Sequence, residues 1–125
     1  MSNVRAIRGA TTADENSEDS IVDATVELLL ELIDAINLND SDVISAFFTT
    51  TRDLNTQFPA VAARKIGWEY VALMCSHEMF IDDAQSMCIR VMVHVNSEKD
   101  VKSINNVYLN DAINLRKRGF ETDKN

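Results

Sequence analysis

The sequence predicts an α+β or α/β fold in which helices cover one side of a single sheet. One long stretch repeats apolar residues at the three-and-four spacing of a helix, and another alternates apolar residues as a strand does. The predicted elements follow in the order strand, helix, strand, helix, strand, strand. A length of 125 residues with 46% hydrophobic residues fits one domain over residues 1–125, with a flexible tail from about residue 117.

The first element is predicted to be a strand over Asn3–Ala10, ending in a turn at Gly9. Thr11–Ser17 is typical of a polar loop. Asn16 or Ser17 can then cap a helix that reaches about Leu38. Its apolar face is predicted to contain Val22, Val26, Leu29, Ile33 and Ile36.

The later elements are shorter. Val43–Thr50 indicates a strand, and a helix with proline in its first turn is expected from Phe58 to near Gly67. Tyr70–Cys75 is predicted to be a third strand, and Ser86–Val95 a fourth because its apolar residues alternate without a break. Glu98–Leu115 has apolar residues but no clear period.

The charge distribution excludes some partners. The net charge of −8 argues against nucleic acid, which is bound mainly through Lys and Arg. Asp14–Asp42 holds 10 of the 20 acidic residues and no base, so it carries −10 and the rest of the chain +2. A site for an anion is therefore expected outside that segment.

Membrane and secretory classes are also disfavoured. No stretch approaches the roughly 20 apolar residues that cross a bilayer, and the N-terminus lacks the apolar core of a secretion signal. Two cysteines, Cys75 and Cys88, are too few for a disulfide scaffold. We expect a cytoplasmic protein with reduced thiols.

Arg90 is a charged residue in the middle of the most apolar strand. Arginine is rarely buried without a partner. One interpretation places its stem on the sheet and its head in solvent; the other gives it a partner in a binding site. Arg8, at the end of the first predicted strand, has the same ambiguity.

Other candidates have ordinary structural explanations beside functional ones. Glu78 could pair with Arg90 or be a loop acid, and Tyr108 could be a core ring. The set Cys75, His77, Cys88 and His94 contains zinc-ligand types at an uncommon spacing, and Cys75, His77 and Glu78 have the composition of a thiol triad. No glycine-rich phosphate loop, Walker motif or GxSxG elbow occurs.

Several short motifs in consistent order resemble the monofunctional trimeric α/β chorismate mutases of the AroH class. The similarity extends from about Val4 to Arg116. The motifs are Val4–Thr12, Phe58-Pro59-Ala60, Gly67-Trp68, Tyr70-Val71, Cys75, Glu78-Met79, Cys88–Met92 and Val107-Tyr108-Leu109.

The resemblance implies a ferredoxin-like α+β subunit, with a mixed sheet and helices on one face, in a homotrimer around a barrel-like core. It also implies three active sites at subunit interfaces that convert chorismate to prephenate in aromatic amino acid biosynthesis. This Claisen rearrangement is unimolecular, so no cofactor and no metal is expected. The alternative is a non-catalytic trimer that binds a small dicarboxylate metabolite.

The resemblance also assigns roles to residues. Arg90 is expected to face the ether oxygen of the breaking bond, and Arg8 and Tyr108 are expected to hold carboxylates. Glu78, helped by the Cys75 thiol, is expected to accept a hydrogen bond from the ring hydroxyl. Arg90 and Glu78 are expected to come from different subunits. Apolar walls and basic residues near the mouth complete the set: Phe58, Ala60, Leu115, Arg64 and Arg116.

The chain departs from the family pattern near the mouth of the site. Val61 stands where a lysine is common, the segment between Arg64 and Trp68 is one residue shorter, and an expected proline is missing after Arg116. We expect weaker substrate affinity than in a relative with that lysine, with the chemical step little changed.

Overall fold

A five-stranded mixed sheet with two α-helices forms the fold. The structure, a computed structural model, describes the backbone of residues 3–117 and the side chains of residues 3–113. The strands and helices are β1 (Asn3–Thr12), α1 (Glu18–Ile36), β2 (Val43–Thr50), α2 (Ala60–Lys65), β3 (Ala72–His77), β4 (Cys88–Ser97) and β5 (Val107–Tyr108). Short 3-10 helices occupy Asp40–Asp42, Val101–Ser103 and Asn110–Lys117.

The strands lie in the order β3-β2-β4-β1-β5. β4 pairs antiparallel with both β1 and β2, whereas β3 runs parallel to β2 and β5 parallel to β1. A parallel pair needs a crossover, and α2 provides it between β2 and β3. The predicted fold class, a mixed α+β sheet with helices on one side, is confirmed.

Both helices pack on the same face of this sheet. The alternation in β4 buries Ile89, Val91, Val93 and Val95 on that face, as predicted. α1 begins at the predicted cap, since the Ser17 hydroxyl accepts from the Ser20 amide at 3.2 Å. None of the helices that the structure describes is long and apolar enough to pass through a bilayer.

The buried face of α1 is turned relative to the prediction. Leu28 and Leu32, which were not assigned to it, are fully buried, while Val26 and Ile33 are only partly buried. Val22, Leu29 and Ile36 are buried as expected. The core therefore takes a wider stripe of the helix than the predicted row, as a helix covering a sheet requires.

The predicted turn at Gly9 is wrong, because β1 continues to Thr12. Thr11 and Thr12 pair with β4 and are buried, not in a polar loop. A Cβ at Gly9 would lie 3.0 Å from Cδ1 of Leu28 and 3.3 Å from the carbonyl oxygen of Val107. Glycine is present here so that α1 and β5 can approach the strand closely.

β2 has its predicted bounds, and the boundaries of the other predicted elements differ by about two residues. β3 begins and ends two residues later than predicted, and so does β4. β5 was not predicted, since two residues show no alternation. The predicted flexible tail from residue 117 lies, from residue 118 onward, outside the described residues.

Candidate active site

The face of the sheet opposite α1 and α2 carries a cavity of about 410 Å³ that we call the arginine cavity, lined by Arg8, Glu78, Arg90 and Tyr108 among others. Strand register explains the grouping. Arg90 on β4 lies between Thr49 of β2 and Ala10 of β1, and Ala10 in turn faces Tyr108 of β5. Residues far apart in sequence therefore share one row on one face.

Arg90 is bound by Glu78 of the same chain. Its Nε donates to Oε2 of Glu78 at 3.0 Å, and its terminal NH2 donates to Oε1 at 2.7 Å. The Glu78 side chain is 11% exposed and that of Arg90 is 51% exposed. Glu78 follows β3 directly, and its amide donates to the Thr50 carbonyl at 2.9 Å, which fixes its backbone.

This pairing decides between the two interpretations of Arg90. The guanidinium is half exposed but has a bidentate partner, so it does not simply extend into solvent. The hydrogen bond to Glu78 is the main reason that the pKa of Arg90 is raised, against desolvation, which lowers it. The expectation that Arg90 and Glu78 come from different subunits is wrong.

The charges in the arginine cavity favour an anionic ligand. Arg8 and Arg90 supply two positive charges against the one negative charge of Glu78. The acidic residues of α1 lie on the covered side of the sheet, whereas the cavity lies on the other. The arginine cavity, a candidate anion site, therefore lies away from the acidic residues of α1, as expected.

A second cavity, of about 300 Å³, lies beside β3 and is lined by Phe58 and Cys75 among others; we call it the phenylalanine cavity. Phe58 is 67% exposed at the start of α2. The backbone of Ala60 hydrogen-bonds to the Cys75 thiol, which lowers the pKa of that thiol, but burial raises it by more. Cys75 is therefore a neutral thiol near neutral pH.

The two cavities are separate within one chain, and among residues 3–113 His77 alone lines both. Cys75 pairs in register with Phe48 and packs on the main core, so it points to the helix side of the sheet. Glu78 and Arg90 meet on the opposite side. One copy of the chain therefore does not bring the Cys75 thiol to Glu78.

Among the predicted residues whose side chains are described, Ala60 and Arg64 line neither cavity. Arg64 donates to the carbonyl of Trp68 and, at 2.8 Å, to that of Glu69, so it holds the chain after α2. Leu115 and Arg116 lie in the last 3-10 helix, and their side chains are outside the described residues. The expected roles of Leu115 in the apolar wall and of Arg64 and Arg116 near the mouth stay predictions.

The family model for chorismate mutase type I matches residues 4–118 of the chain. The chain belongs to the type I chorismate mutase family. Two curated members, each named chorismate mutase AroH, are similar to it over 114 residues. The protein of Bacillus subtilis (strain 168) is 37% identical, and the match covers 90% of both chains. The protein of Thermus thermophilus is 38% identical, and the match covers 90% of this chain and 93% of the relative.

A solved structure of a chorismate mutase from Clostridium thermocellum matches this fold with a TM-score of 0.85. The two chains are 50% identical, and the match covers 86% of this chain and 96% of the other. The family resemblance and the mixed-sheet fold that it implied are thus shown independently.

The two cysteines of the candidate zinc set lie on opposite sides of the sheet. Cys75 packs with the core under α2, whereas Cys88 packs with Ala10 and Ala112 at the other side of the sheet. Burial is the main reason that the pKa of Cys88 is raised to about 12, and the Glu78 charge raises it further. Among residues 3–113, no three metal-ligating side chains come together.

Sequence reasoning missed Thr49, a residue of the arginine cavity that contacts the Glu78 carboxylate. Thr49 donates through Oγ1 to Oε2 of Glu78 at 3.0 Å. His77 is named from the sequence only as a zinc or triad candidate. It lies within hydrogen-bond distance of the hydroxyl of Thr50, a residue of the phenylalanine cavity, with 3.1 Å between Nδ1 and Oγ1. Only the pairing of β2 with β3 and β4 brings Thr49 to Glu78, so no signal within β2 alone indicates it.

Proposed function

We propose that this chain catalyses the rearrangement of chorismate to prephenate by holding the substrate in a charged cage. Membership of the type I chorismate mutase family supports the reaction. The observation that carries the mechanism is the Arg90 guanidinium, held by the bidentate Glu78 carboxylate on the wall of a cavity that also contains Arg8 and Tyr108.

The reaction needs orientation and electrostatic stabilisation. Chorismate is a flexible dianion whose enolpyruvyl arm must fold over the ring before the carbon–oxygen bond can break. Fixing that conformer removes part of the entropic barrier. Arg8 and Tyr108 are suited to hold the carboxylates, and their strands fix their positions on the cavity wall.

Arg90 and Glu78 are assigned the polar atoms of the substrate. Negative charge grows on the ether oxygen in the transition state, and Arg90 donates to it there. A preorganised donor at such a position typically lowers the barrier by ~3 to 4 kcal/mol. Glu78 accepts from the ring hydroxyl while it holds Arg90 in place. No step of this mechanism requires a cofactor or a metal.

We further propose that a neighbouring copy supplies the phenylalanine cavity, in a homotrimer with its active sites at the interfaces. The sheet face opposite α1 and α2 supports this, since Phe47, Met74 and Met92 form one row across three strands with 40%, 67% and 38% of their surfaces exposed. An apolar row of this kind is typical of an interface. Phe58, Ala60 and Cys75 of one copy would then face Glu78 of the next.

The test is loss of the chorismate diene absorbance on addition of micromolar protein, with prephenate identified as the product. Turnover supports the proposal, and no acceleration over the uncatalysed rate overturns it. The alternative, a trimer that only binds a dicarboxylate, predicts calorimetric binding of chorismate without prephenate. Light scattering tests the trimer separately. The cytoplasmic location stays a prediction.

A further inference from the structure

The Glu78 carboxylate accepts three hydrogen bonds from two side chains. Oε2 accepts from Arg90 Nε at 3.0 Å and from Thr49 Oγ1 at 3.0 Å, while Oε1 accepts from the Arg90 terminal nitrogen at 2.7 Å. A carboxylate offers about four lone-pair sites, two on each oxygen. Among the side chains that the structure describes, these contacts use both sites of Oε2 and leave one site on Oε1.

Thr49 is placed for this contact by the sheet. It is the next-to-last residue of β2, half-buried, and lies directly opposite Arg90 of β4 and Ser76 of β3. The hydroxyl stands on a β-branched side chain with restricted χ1, so its direction is fixed more firmly than that of a serine or a water molecule. The donor is therefore preorganised before any ligand binds.

We propose that Thr49 is a positioning residue, whose hydroxyl turns the Glu78 carboxylate so that Oε1 alone faces the ligand and the Arg90 fork stays in one plane. The inference rests on the proposed function, because the ligand of Oε1 is the ring hydroxyl of the substrate. Without the Thr49 hydroxyl, Oε2 regains a free site. The carboxylate can then rotate, and the plane of Arg90 rotates with it.

The consequence differs from that of a lost charge. The charges of Arg8, Glu78 and Arg90 are unchanged when Thr49 loses its hydroxyl, so the attraction for a dianion remains. What is lost is the single orientation of the two groups that meet the reacting atoms. The effect should therefore fall on kcat more than on KM.

The experiment compares Thr49→Val with Thr49→Ser in the chorismate assay. Valine keeps the shape and strand preference of threonine but removes the donor, and serine keeps the donor. We expect kcat to fall on the order of ten-fold in Thr49→Val, with KM changed by less, because a hydrogen bond to a charged group is lost. Thr49→Ser should recover most of that loss.

Two controls separate positioning from a general structural effect. Thr25→Val removes a buried hydroxyl that donates to the Ile21 carbonyl inside α1, remote from the cavity, and should leave kcat unchanged. In a Glu78→Ala background, Thr49→Val should cause no further loss. Equal kcat in Thr49→Val and wild type would overturn the proposal, as would an equal loss in the Thr49→Ser variant.

The proposal and the proposed function can fail separately. A wild type that turns over chorismate, together with an unaffected Thr49→Val, refutes the role of Thr49 alone. If the wild type does not turn over, the carboxylate stretching band of Glu78 still tests the contact. That band is identified by its loss in Glu78→Gln. It should shift in Thr49→Val and not in Thr49→Ser. A band that does not shift in Thr49→Val refutes the role of Thr49.

Discussion

Replacing Arg90 with lysine keeps the positive charge and removes the planar fork. In the structure, Nε and a terminal nitrogen of Arg90 reach the two oxygens of Glu78 at 3.0 and 2.7 Å, and one ammonium group cannot occupy both positions. The donor aimed at the ether oxygen is then no longer fixed. We expect kcat to fall by about 10²–10³, equivalent to ~3 to 4 kcal/mol of barrier.

The same substitution should leave the fold intact. The Arg90 side chain is 51% exposed, and an ion pair at that exposure contributes at most about 1 kcal/mol to the free energy of unfolding. The assay is the initial rate of chorismate loss, with the thermal midpoint measured on the same sample. A variant with kcat within about two-fold of wild type would refute the reasoning.

Arg5→Lys is the matched control for this experiment. Arg5 also lies on a strand and donates through Nε, at 3.0 Å, but to the Lys99 carbonyl outside the arginine cavity. Loss of its fork should change neither kcat nor KM. A comparable loss in both variants would indicate that any arginine on the sheet affects turnover indirectly.

Three further predictions concern affinity, packing and pH. Val61→Lys adds a cation at an exposed position of α2 and should lower KM several-fold with kcat unchanged, so an unchanged KM contradicts it. Gly9→Ala places a Cβ 3.0 Å from Leu28 and 3.3 Å from the Val107 carbonyl, and should lower the free energy of unfolding in urea by about 1–3 kcal/mol; an unshifted midpoint contradicts it. Burial raises the pKa of Cys88 from 9.0 to about 12, so its neutral thiol favours the folded state fully below pH 9.0 and loses that contribution as the pH rises towards 12. Over that range, the free energy of unfolding of wild type should fall by about 1.4 kcal/mol per pH unit relative to that of Cys88→Ala. A difference between the two proteins that does not change with pH contradicts the prediction.

The fold was largely predictable because two local patterns dominate it. β2 was predicted with its observed bounds, and the alternation in β4 identified both its buried face and Arg90 as the exception. Gly9 was misread because glycine in a strand and glycine in a turn look alike until the neighbours are known. Leu28 and Val107, which crowd it, are distant in sequence.

The sequence predicted which residues line the candidate site, but not how their side chains contact one another. Glu78 and Arg90 were recognised as possible partners, but their bidentate contact depends on the register of β3, β2 and β4. The same register sends Cys75 to the opposite side of the sheet from Glu78. Sequence spacing within one strand gives the face of a residue, and only pairing between strands gives its neighbours.

Complementation between two inactive variants tests most directly the claim that the cage is built from two copies of the chain. Arg90→Ala disables the arginine cavity, and Phe58→Glu places a negative charge at the exposed wall of the phenylalanine cavity, so each variant alone should be inactive. When the two are unfolded and refolded together in equal amounts, about one interface in four joins two intact halves. The account predicts recovery of about a quarter of the wild-type chorismate mutase rate, and a mixture as inactive as either variant alone would contradict it.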